Sequence, residues 1–538
     1  MSKRLLIFAS VIVLIGTVEL VWYLTMVRPN LPIHSRGKPA VEGPPPEPIP
    51  YRSTATPPRA AQPSFTQPIS YTSSAPTADA LRKMMQGANV IIVILDAARA
   101  DHTGCYGYPR DTTPNLDRLA SHSLVFEQHF APFPQTTVST ASLFTGQYPD
   151  THGLVDWTAS QDAHYQTIDP STLTIARGLE KAGFHTFFFS SNRCASPQLG
   201  IGDDFQYANL EDRSRGMQDG SRTGPRRPPP SAPVLVQAVT NRLAKWAKPP
   251  FLTYVHFLPP HVPYEAPEEI ARLYRGHKAP NYWRGEPAFT RVWERWAGGE
   301  PPAQGDEWVN LYDANLRWAD QCFGDLEAQL KKLGFWDNTL LIVSSDHGEA
   351  LEEHRYTWHA TCPYDEALQI PLLIKFPGNQ GPVGRVHALT QTVDLMPTIL
   401  DLCGVSYSKS EVQGHSLLPL LTGEQEQARE YAFARTSGNW PCYVVRDQHT
   451  ALFLYRGGEM RALYDVVKDP WQSQNLIDEQ SGRAAGLVRV FESFAQTQTT
   501  VPLDFVDANY EPTARRELPR REMSEETRRE LRALGYVR

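Results

Sequence analysis

Cysteine is scarce in this chain: six residues among 538, spread singly and with no C-x-x-C pair, which excludes a disulfide framework and a structural zinc ribbon. An excess of basic charge is also missing. Lys and Arg number 52 against 59 Asp and Glu, and the formal net charge of −7 excludes a protein that holds nucleic acid by neutralising phosphates. Glycine and proline, 35 and 46 residues, fall short of the share that marks a wholly disordered chain, and no internal repeat occurs. What remains is 41% hydrophobic residues, enough for a sizeable core spread over two to four domains.

The first landmark is the apolar run Leu5–Val27, preceded by Lys3 and Arg4 and about long enough to cross a bilayer as a helix. No A-x-A cleavage site follows, so the run reads as a single-pass anchor over 1–28 rather than a removed signal, with Glu19 its one costly group. Residues 29–87 contain "EGPPPEPIPYRSTATPPRAAQPS", without helical or strand periodicity, and predict a Pro-rich disordered stalk. A spacer of this kind makes most sense with the catalytic body outside the cytoplasm, periplasmic or extracellular. From Asn89 the texture changes. "NVIIVIL" is a continuous apolar run of the kind that forms a strand buried on both faces, and similar runs recur at Phe184–Phe189, Phe251–Phe257, Leu340–Val343 and Pro371–Phe376. Helical patterns at Thr172–Ala182, Val234–Trp246 and Leu316–Leu333 lie between them. Alternation of this kind predicts an α/β domain over 88–405 with a mostly parallel central sheet flanked by helices. The polar stretch 210–232 reads as a surface loop. Four short strand-like runs after Gly404 predict a smaller antiparallel-sheet subdomain over 406–510, followed by a tail, 511–538, whose end reads as a helix capped by Ser524 and closed by Gly535.

In an open parallel sheet, ligands sit beyond the carboxyl ends of the strands. Asp96 ends the first strand, and Asp346–His347 follow "LLIVSS", so two carboxylates and an imidazole should share one crevice and suit a divalent metal. Each Asp alone also suits the cap of a loop. Thr136 and Thr137 stand just before a short helical stretch ending at Gly146, where unpaired N–H groups stabilise an alkoxide or a bound oxyanion; an ordinary threonine cap is the plainer alternative. A metal beside such a hydroxyl turns it into a nucleophile.

Eight strings in order resemble one family: "LDAARADHTGCYGYPRDTTPNLDRLA", "LFTGQYP", "SSDHGE", "YDEALQIPLLIKFPG", "TVDLMPTILDLCGV", "QGHSLLPLL", "LYDVVKDPWQSQNL" and "ETRRELRALGY". They look like the sulfatase-like hydrolases of the alkaline phosphatase superfamily, from about Asn89 to Leu476 and again at the end of the chain. The resemblance implies a mostly parallel sheet between helices with a smaller C-terminal sheet beside it. It also implies metal ligands at Asp96, Thr136, Asp346 and His347. His359 in "WHATCPYDEA" corresponds to a histidine that binds a second metal or the transferred group in phosphoryl-transfer members, and His261 in "HFLPPHVPYEAP" to a substrate-contacting histidine. His256 reads as structural, and Arg99 as either structural or anion-contacting. The metal is open among Zn, Mn, Ca and Mg.

The chain departs from the family where its chemistry begins. Counted back from the shared "TG-x-YP", Thr136 stands where sulfatases carry the cysteine that becomes formylglycine, with Val138 and Thr140 in place of the Pro and Arg of C-x-P-S-R. Threonine cannot supply the aldehyde whose hydrate attacks sulfate. A threonine beside Asp, Asp and His resembles the phosphoryl-transfer members, in which it would attack phosphorus in line, with His359 or His261 protonating the leaving oxygen. The expected activity is metal-dependent hydrolysis of a small-molecule, lipid or glycan ester, sulfuric or phosphoric. The alternatives are a phosphoethanolamine- or phosphoglycerol-type transferase, which the absence of a five-helix membrane domain disfavours, and a non-catalytic binder of anionic glycans.

Overall fold

A computed structural model describes residues 75–155, 164–210, 232–277, 306–437, 441–455, 459–499 and 520–522. The expected anchor, the expected stalk up to residue 74, almost all of the expected surface loop, and the expected terminal helix lie outside these residues. Among the described residues, no helix is long and apolar enough to cross a membrane.

The expected stalk, drawn to residue 87, ends earlier than that. Ala78–Met84 form helix α1, capped by the Thr77 hydroxyl and carrying Asp79 in its first turn and Arg82 and Lys83 in its last, which suits the helix dipole at both ends. Leu81 and Met85, four apart and therefore on one face, are buried in the main core.

The central sheet has eight strands: β1 (Asn89–Leu95), β2 (Leu124–Phe130), β3 (His185–Ser190), β4 (Tyr207–Leu210), β5 (Phe251–Phe257), β6 (Thr339–Ser344), β7 (Leu372–Lys375) and β8 (Gly384–Gln391). Their spatial order is β8-β2-β7-β6-β1-β5-β3-β4, and only β7 runs against the others. Every residue of β1 is buried because both faces are covered. Val90, Ile92 and Ile94 pack with α1, α3 (Thr136–Thr145), α4 (Ile175–Lys181) and α7 (Leu395–Leu402). Ile91, Val93 and Leu95 face the other way, toward α2 (Pro114–Ala120), α5 (Ala232–Trp246) and α6 (Asp306–Lys332). Each such fully buried aliphatic side chain stabilises the fold by roughly 1.5–3 kcal/mol relative to exposure.

Strands β9 (Ala432–Arg435), β10 (Cys442–Arg446), β11 (Thr450–Tyr455) and β12 (Glu459–Asp465) form the second, antiparallel sheet in simple meander order. Alternate residues divide its faces. Cys442, Val444 and Phe453 pack on Phe130, Tyr364 and Leu389 of the main domain, while Tyr443, Val445 and Leu452 receive Leu487 and Phe491 of α8 (Ser481–Ala495). All six cysteines are free thiols.

Candidate active site

The carboxyl ends of β1, β6, β3 and β5 open on one edge of the sheet, and each delivers a polar residue there: Asp96, Asp346–His347, Asn192 and His261. The loop after β2 brings in Thr136. It is the first residue of α3 rather than the residue before it, since Gln135 occupies the capping position, so its hydroxyl lies at the positive end of the helix. The helix closes at Gly146, whose φ of 63° is the left-handed conformation glycine adopts without strain.

Each of the two aspartates has one oxygen in use and one bare. Asp96 Oδ2 accepts from the Asn192 side-chain amide and, at 2.9 Å, from His256 Nε2–H. Asp346 Oδ1 accepts the backbone N–H groups of Ala97 at 3.1 Å and His347 at 3.0 Å. Asp96 Oδ1 and Asp346 Oδ2 are buried without a hydrogen-bond partner, a costly state unless something occupies the space between them. His347 completes the group: its Nε2 lies 3.7 Å from Asp96 Oδ1 and 3.4 Å from Asp346 Oδ2. The ligand atoms of all three residues fall within 4.8 Å of one another. His347 Nδ1–H donates to the Gly348 carbonyl at 2.8 Å, which turns Nε2 toward the carboxylates and toward Thr136 Oγ1, 3.2 Å away. Two hard oxygens, an imidazole and a hydroxyl are a fitting donor set for a divalent cation, and the bare oxygens are where its charge belongs. Electrostatics agree with the geometry. Burial alone would raise the Asp96 carboxyl, yet His261, His256 and His347 hold it well below the usual carboxylate range. Burial alone would lower His347, yet Asp346 and Asp96 raise it.

The residues around this core fix its shape. Ala97 has a φ of 60°, unusual for alanine, and is held there by the Asp346 carboxylate on its N–H and the Tyr312 hydroxyl on its carbonyl. His256 accepts the Tyr254 O–H at 2.8 Å, so its other nitrogen can only donate to Asp96. The structural role read for His256 is therefore that of a brace on the Asp96 carboxylate. Asn192 is oriented by the Cys194 N–H, which donates to its Oδ1 at 2.7 Å, and its amide also reaches Thr136 Oγ1 at 3.5 Å.

The rings of His359 and His261 lie beside this group. The rings of His347 and His359 lie 4.2 Å apart and those of His261 and His359 5.0 Å apart. His359 Nδ1 meets Glu349 at 3.0 Å. Burial, with His347 and His261 nearby, holds His359 well below the ordinary histidine range, and burial pushes the Glu349 carboxyl up to about 7. His261 Nδ1–H donates to the Val262 carbonyl at 2.5 Å.

Of the two roles read for Arg99, structural or anion-contacting, the geometry favours the structural one over the expected substrate contact. Its guanidinium is fully engaged in a structural knot, donating to Asp101 at 2.7 and 2.9 Å, to Glu353 at 2.7 Å and to the Glu349 carbonyl at 2.9 Å. With its charge neutralised by two carboxylates it braces the Glu349 segment and is not a substrate contact. Sequence reasoning missed Asn192 and Glu349. Position alone pointed to both, Asn192 just beyond a buried apolar strand and Glu349 two residues past the Asp-His pair.

The sulfatase family model matches residues 88–405, and a model described as N-sulphoglucosamine sulphohydrolase, C-terminal, matches 353–491. An arylsulfatase of Clostridium perfringens is 24% identical over 458 residues, covering 73% of this chain and 90% of the relative. An endo-4-O-sulfatase of Bacteroides thetaiotaomicron is 26% identical over 423 residues, covering 68% and 81%. Among solved structures, a protein in complex with its substrate D-glucosamine-2-N,6-O-disulfate superimposes with a TM-score of 0.63 at 19% identity, over 78% of this chain and all (100%) of the other. The phosphonate monoester hydrolase of Agrobacterium radiobacter superimposes with a TM-score of 0.62 at 22% identity, over 77% and 97%. These likenesses share the α/β fold and its second sheet. The chain belongs to the sulfatase family of the alkaline phosphatase superfamily, hydrolases acting on sulfate esters.

Proposed function

We propose that this enzyme hydrolyses phosphorus esters through a covalent Thr136 intermediate. The observation that carries the reading is the meeting of Thr136 Oγ1 with His347 Nε2 at 3.2 Å, beside two bare carboxylate oxygens. Asp96, Asp346, His347 and Thr136 would hold a divalent cation, Zn, Mn, Ca or Mg, which when bound polarises the ester oxygen and lowers the pKa of the hydroxyl so that Thr136 is deprotonated near neutral pH. Asn192 and the α3 N-terminus orient the Thr136 oxygen. It forms a bond to phosphorus as the bond to the leaving oxygen breaks, and that oxygen takes the Nε2 proton of a doubly protonated His261, which keeps its Nδ1–H on the Val262 carbonyl and is left neutral. His359, held neutral by burial, is better placed to fix the reacting group through its ring and its Glu349 partner than to give up a proton. Water then cleaves the phosphothreonine. A hydroxyl suits attack on phosphorus but cannot form the aldehyde hydrate of formylglycine chemistry, and the phosphonate monoester hydrolases among the structural neighbours support the choice. The glycan-sulfate proteins among the relatives support a glycan ester as the competing substrate.

The test is a panel of nitrophenyl phosphate, phosphodiester, phosphonate and sulfate esters with Thr136→Ala beside the wild type, and mass spectrometry of the quenched enzyme. A phosphorylated Thr136 is the expected result. Turnover surviving in the alanine variant would end the proposal. We further propose that the enzyme is tethered to a membrane by Leu5–Val27 with its catalytic domain extracytoplasmic; release from membranes by alkaline carbonate would refute the tether.

A further inference from the structure

We propose that Tyr312 and Asn315, three residues apart on one face of α6, are positioning residues. Together they hold the turn that carries Asp96 and the loop that carries His261 at a fixed separation. The inference deepens the ester-hydrolase reading above and rests on it. It starts from what the two segments lack. Residues 258–265, "LPPHVPYE", include three prolines, and a proline has no N–H to donate. The loop is therefore short of donors for its own carbonyls, which need one from elsewhere when buried. Asn315 supplies it. Its Nδ2 group faces the carbonyls of Pro260 at 3.3 Å, His261 at 3.2 Å and Pro263 at 3.3 Å, and its Oδ1 accepts the Glu265 N–H at 3.1 Å. The turn after β1 lacks a relaxed backbone, because Ala97 sits at a φ of 60°, where residues other than glycine are uncommon. The Tyr312 hydroxyl bridges that turn, donating to the Ala97 carbonyl at 2.8 Å and accepting the Arg99 N–H at 2.9 Å.

Every hydrogen bond that these two side chains make goes to one of the two segments. Both side chains are fully buried, on a helix face that also packs Val309, Leu316 and Ala319 into the core. A buried amide is costly unless its groups are paired, and asparagine is a poor helix former, so neither packing nor propensity accounts for Asn315 in the middle of α6. Its contacts with the His261 loop do. Residues three apart on a helix are neighbours whose spacing the helix itself fixes, so one rigid element sets where both segments stand. The segments also meet each other: the His261 N–H donates to the Asp96 carbonyl at 3.0 Å, and the Tyr264 ring stands edge-on to Tyr312 at 6.2 Å and 84°. Tyr312 thus acts through Asp96, and Asn315 through His261.

The test compares the full-length wild type with Tyr312→Phe, Asn315→Leu and, as a control for mere loosening of α6, Leu316→Ala. The readouts are the affinity of the chelated, metal-free protein for Mn(II) by titration calorimetry, kcat/KM on the nitrophenyl ester that the wild type cleaves best, and the thermal midpoint. Tyr312→Phe keeps the ring and loses only the bridging hydroxyl, so Mn(II) affinity should fall about tenfold as Asp96 loses its fixed place. Asn315→Leu keeps the size and loses the amide, so kcat/KM should fall about tenfold while Mn(II) affinity stays at the wild-type value. Leu316→Ala should lower the thermal midpoint and leave both other quantities unchanged in the folded protein. Should the leucine variant not fold, Asn315→Ser takes its place and is expected to show the same pattern. Unchanged Mn(II) affinity in Tyr312→Phe, unchanged kcat/KM in the Asn315 variant, or losses as large in Leu316→Ala would each overturn the inference. Wild-type protein that neither binds Mn(II) nor turns over an ester overturns the underlying hydrolase reading instead.

Discussion

At the scale of single residues, the site is built by giving each reactive atom one partner that fixes it and one direction left open. Asn192 does this for two atoms, since its amide touches both Asp96 Oδ2 and Thr136 Oγ1. Asn192→Ala should therefore lower kcat more than it raises KM, by about a hundredfold if one oriented hydrogen bond at the nucleophile is lost, and should weaken metal retention on dialysis. A variant that retains metal and full kcat would remove Asn192 from the machinery. A second residue-scale consequence concerns acid. His152 accepts the Leu154 N–H on Nδ1 at 3.2 Å, so its Nε2–H donates to Ser142 Oγ at 2.9 Å, and burial pushes its pKa down to about 3. The unfolded chain, with an ordinary histidine, binds a proton below about 6.5 while the folded chain does not, so stability falls as pH drops from 6.5 toward 3. The loss reaches about 2 kcal/mol by pH 5 for this one group. His152→Gln should show a smaller drop in urea midpoint between pH 7.5 and 5 than the wild type, whatever its starting stability.

At the scale of elements, the placing of His347 depends on how closely the turn after β6 packs. Gly348 and Glu349 donate to the Ala367 and Glu366 carbonyls at 2.9 Å each, clamping the turn on the short helix Asp365–Leu368. A Cβ at Gly348 would lie 2.2 Å from the Glu366 carbonyl oxygen, which is backbone and cannot yield. Gly348→Ala must push the turn outward and carry His347 and Glu349 with it. The expected outcome is a lowered thermal midpoint and activity lost in the surviving folded fraction; native activity with a native melting curve would contradict this geometry. Elements of this kind were unevenly legible in the sequence. The apolar runs of β1, β5, β6 and β7 announced themselves because strands buried on both faces have no polar alternation to obscure them. The second sheet was readable from its short runs and turns. Strands β2 and β8 were not, because polar residues interrupt both "LVFEQHF" and the edge strand "GRVHALTQ", and α8 was missed among the polar residues before it. At the site, Asp96, Asp346, His347, Thr136, His261 and His359 were legible from motif and strand ends. Arg99 stayed open between two roles because an arginine beside a motif says nothing of the carboxylates, Asp101 and Glu353, that the fold brings to it.

At the scale of the whole molecule, the second sheet belongs to the active site although it supplies no reactive group. Ser437, just beyond β9, holds Ala360, and Ala360 holds the His359 segment against the loop that carries Thr136. That hold requires the sheet to stay docked, and part of the docking is a buried polar junction around Arg429. Its guanidinium binds Asp394 at the start of α7 through two nitrogens, and also reaches the Tyr148 hydroxyl at 2.5 Å and the Gln391 side chain at the end of β8 at 2.9 Å. Asp394 is fully buried and Arg429 nearly so, with side-chain exposures of 0% and 3%. A pair this deep is weak evidence of net stability as a whole, but removing one member strands the other charge, at a cost of about 3–5 kcal/mol. Arg429→Met, which keeps the length and loses the charge, should lower the urea midpoint by an amount of that order. Because the junction also sets where β9 begins, the same variant should lose catalytic rate at urea concentrations at which it is still folded. Asp394→Asn in the Arg429→Met background should recover part of the stability by removing the stranded carboxylate. Recovery of stability without recovery of rate would mean that Arg429 orients the second sheet as well as anchoring it, whereas a midpoint unchanged in Arg429→Met would leave the docking to the apolar face of Val444 and Phe453 alone.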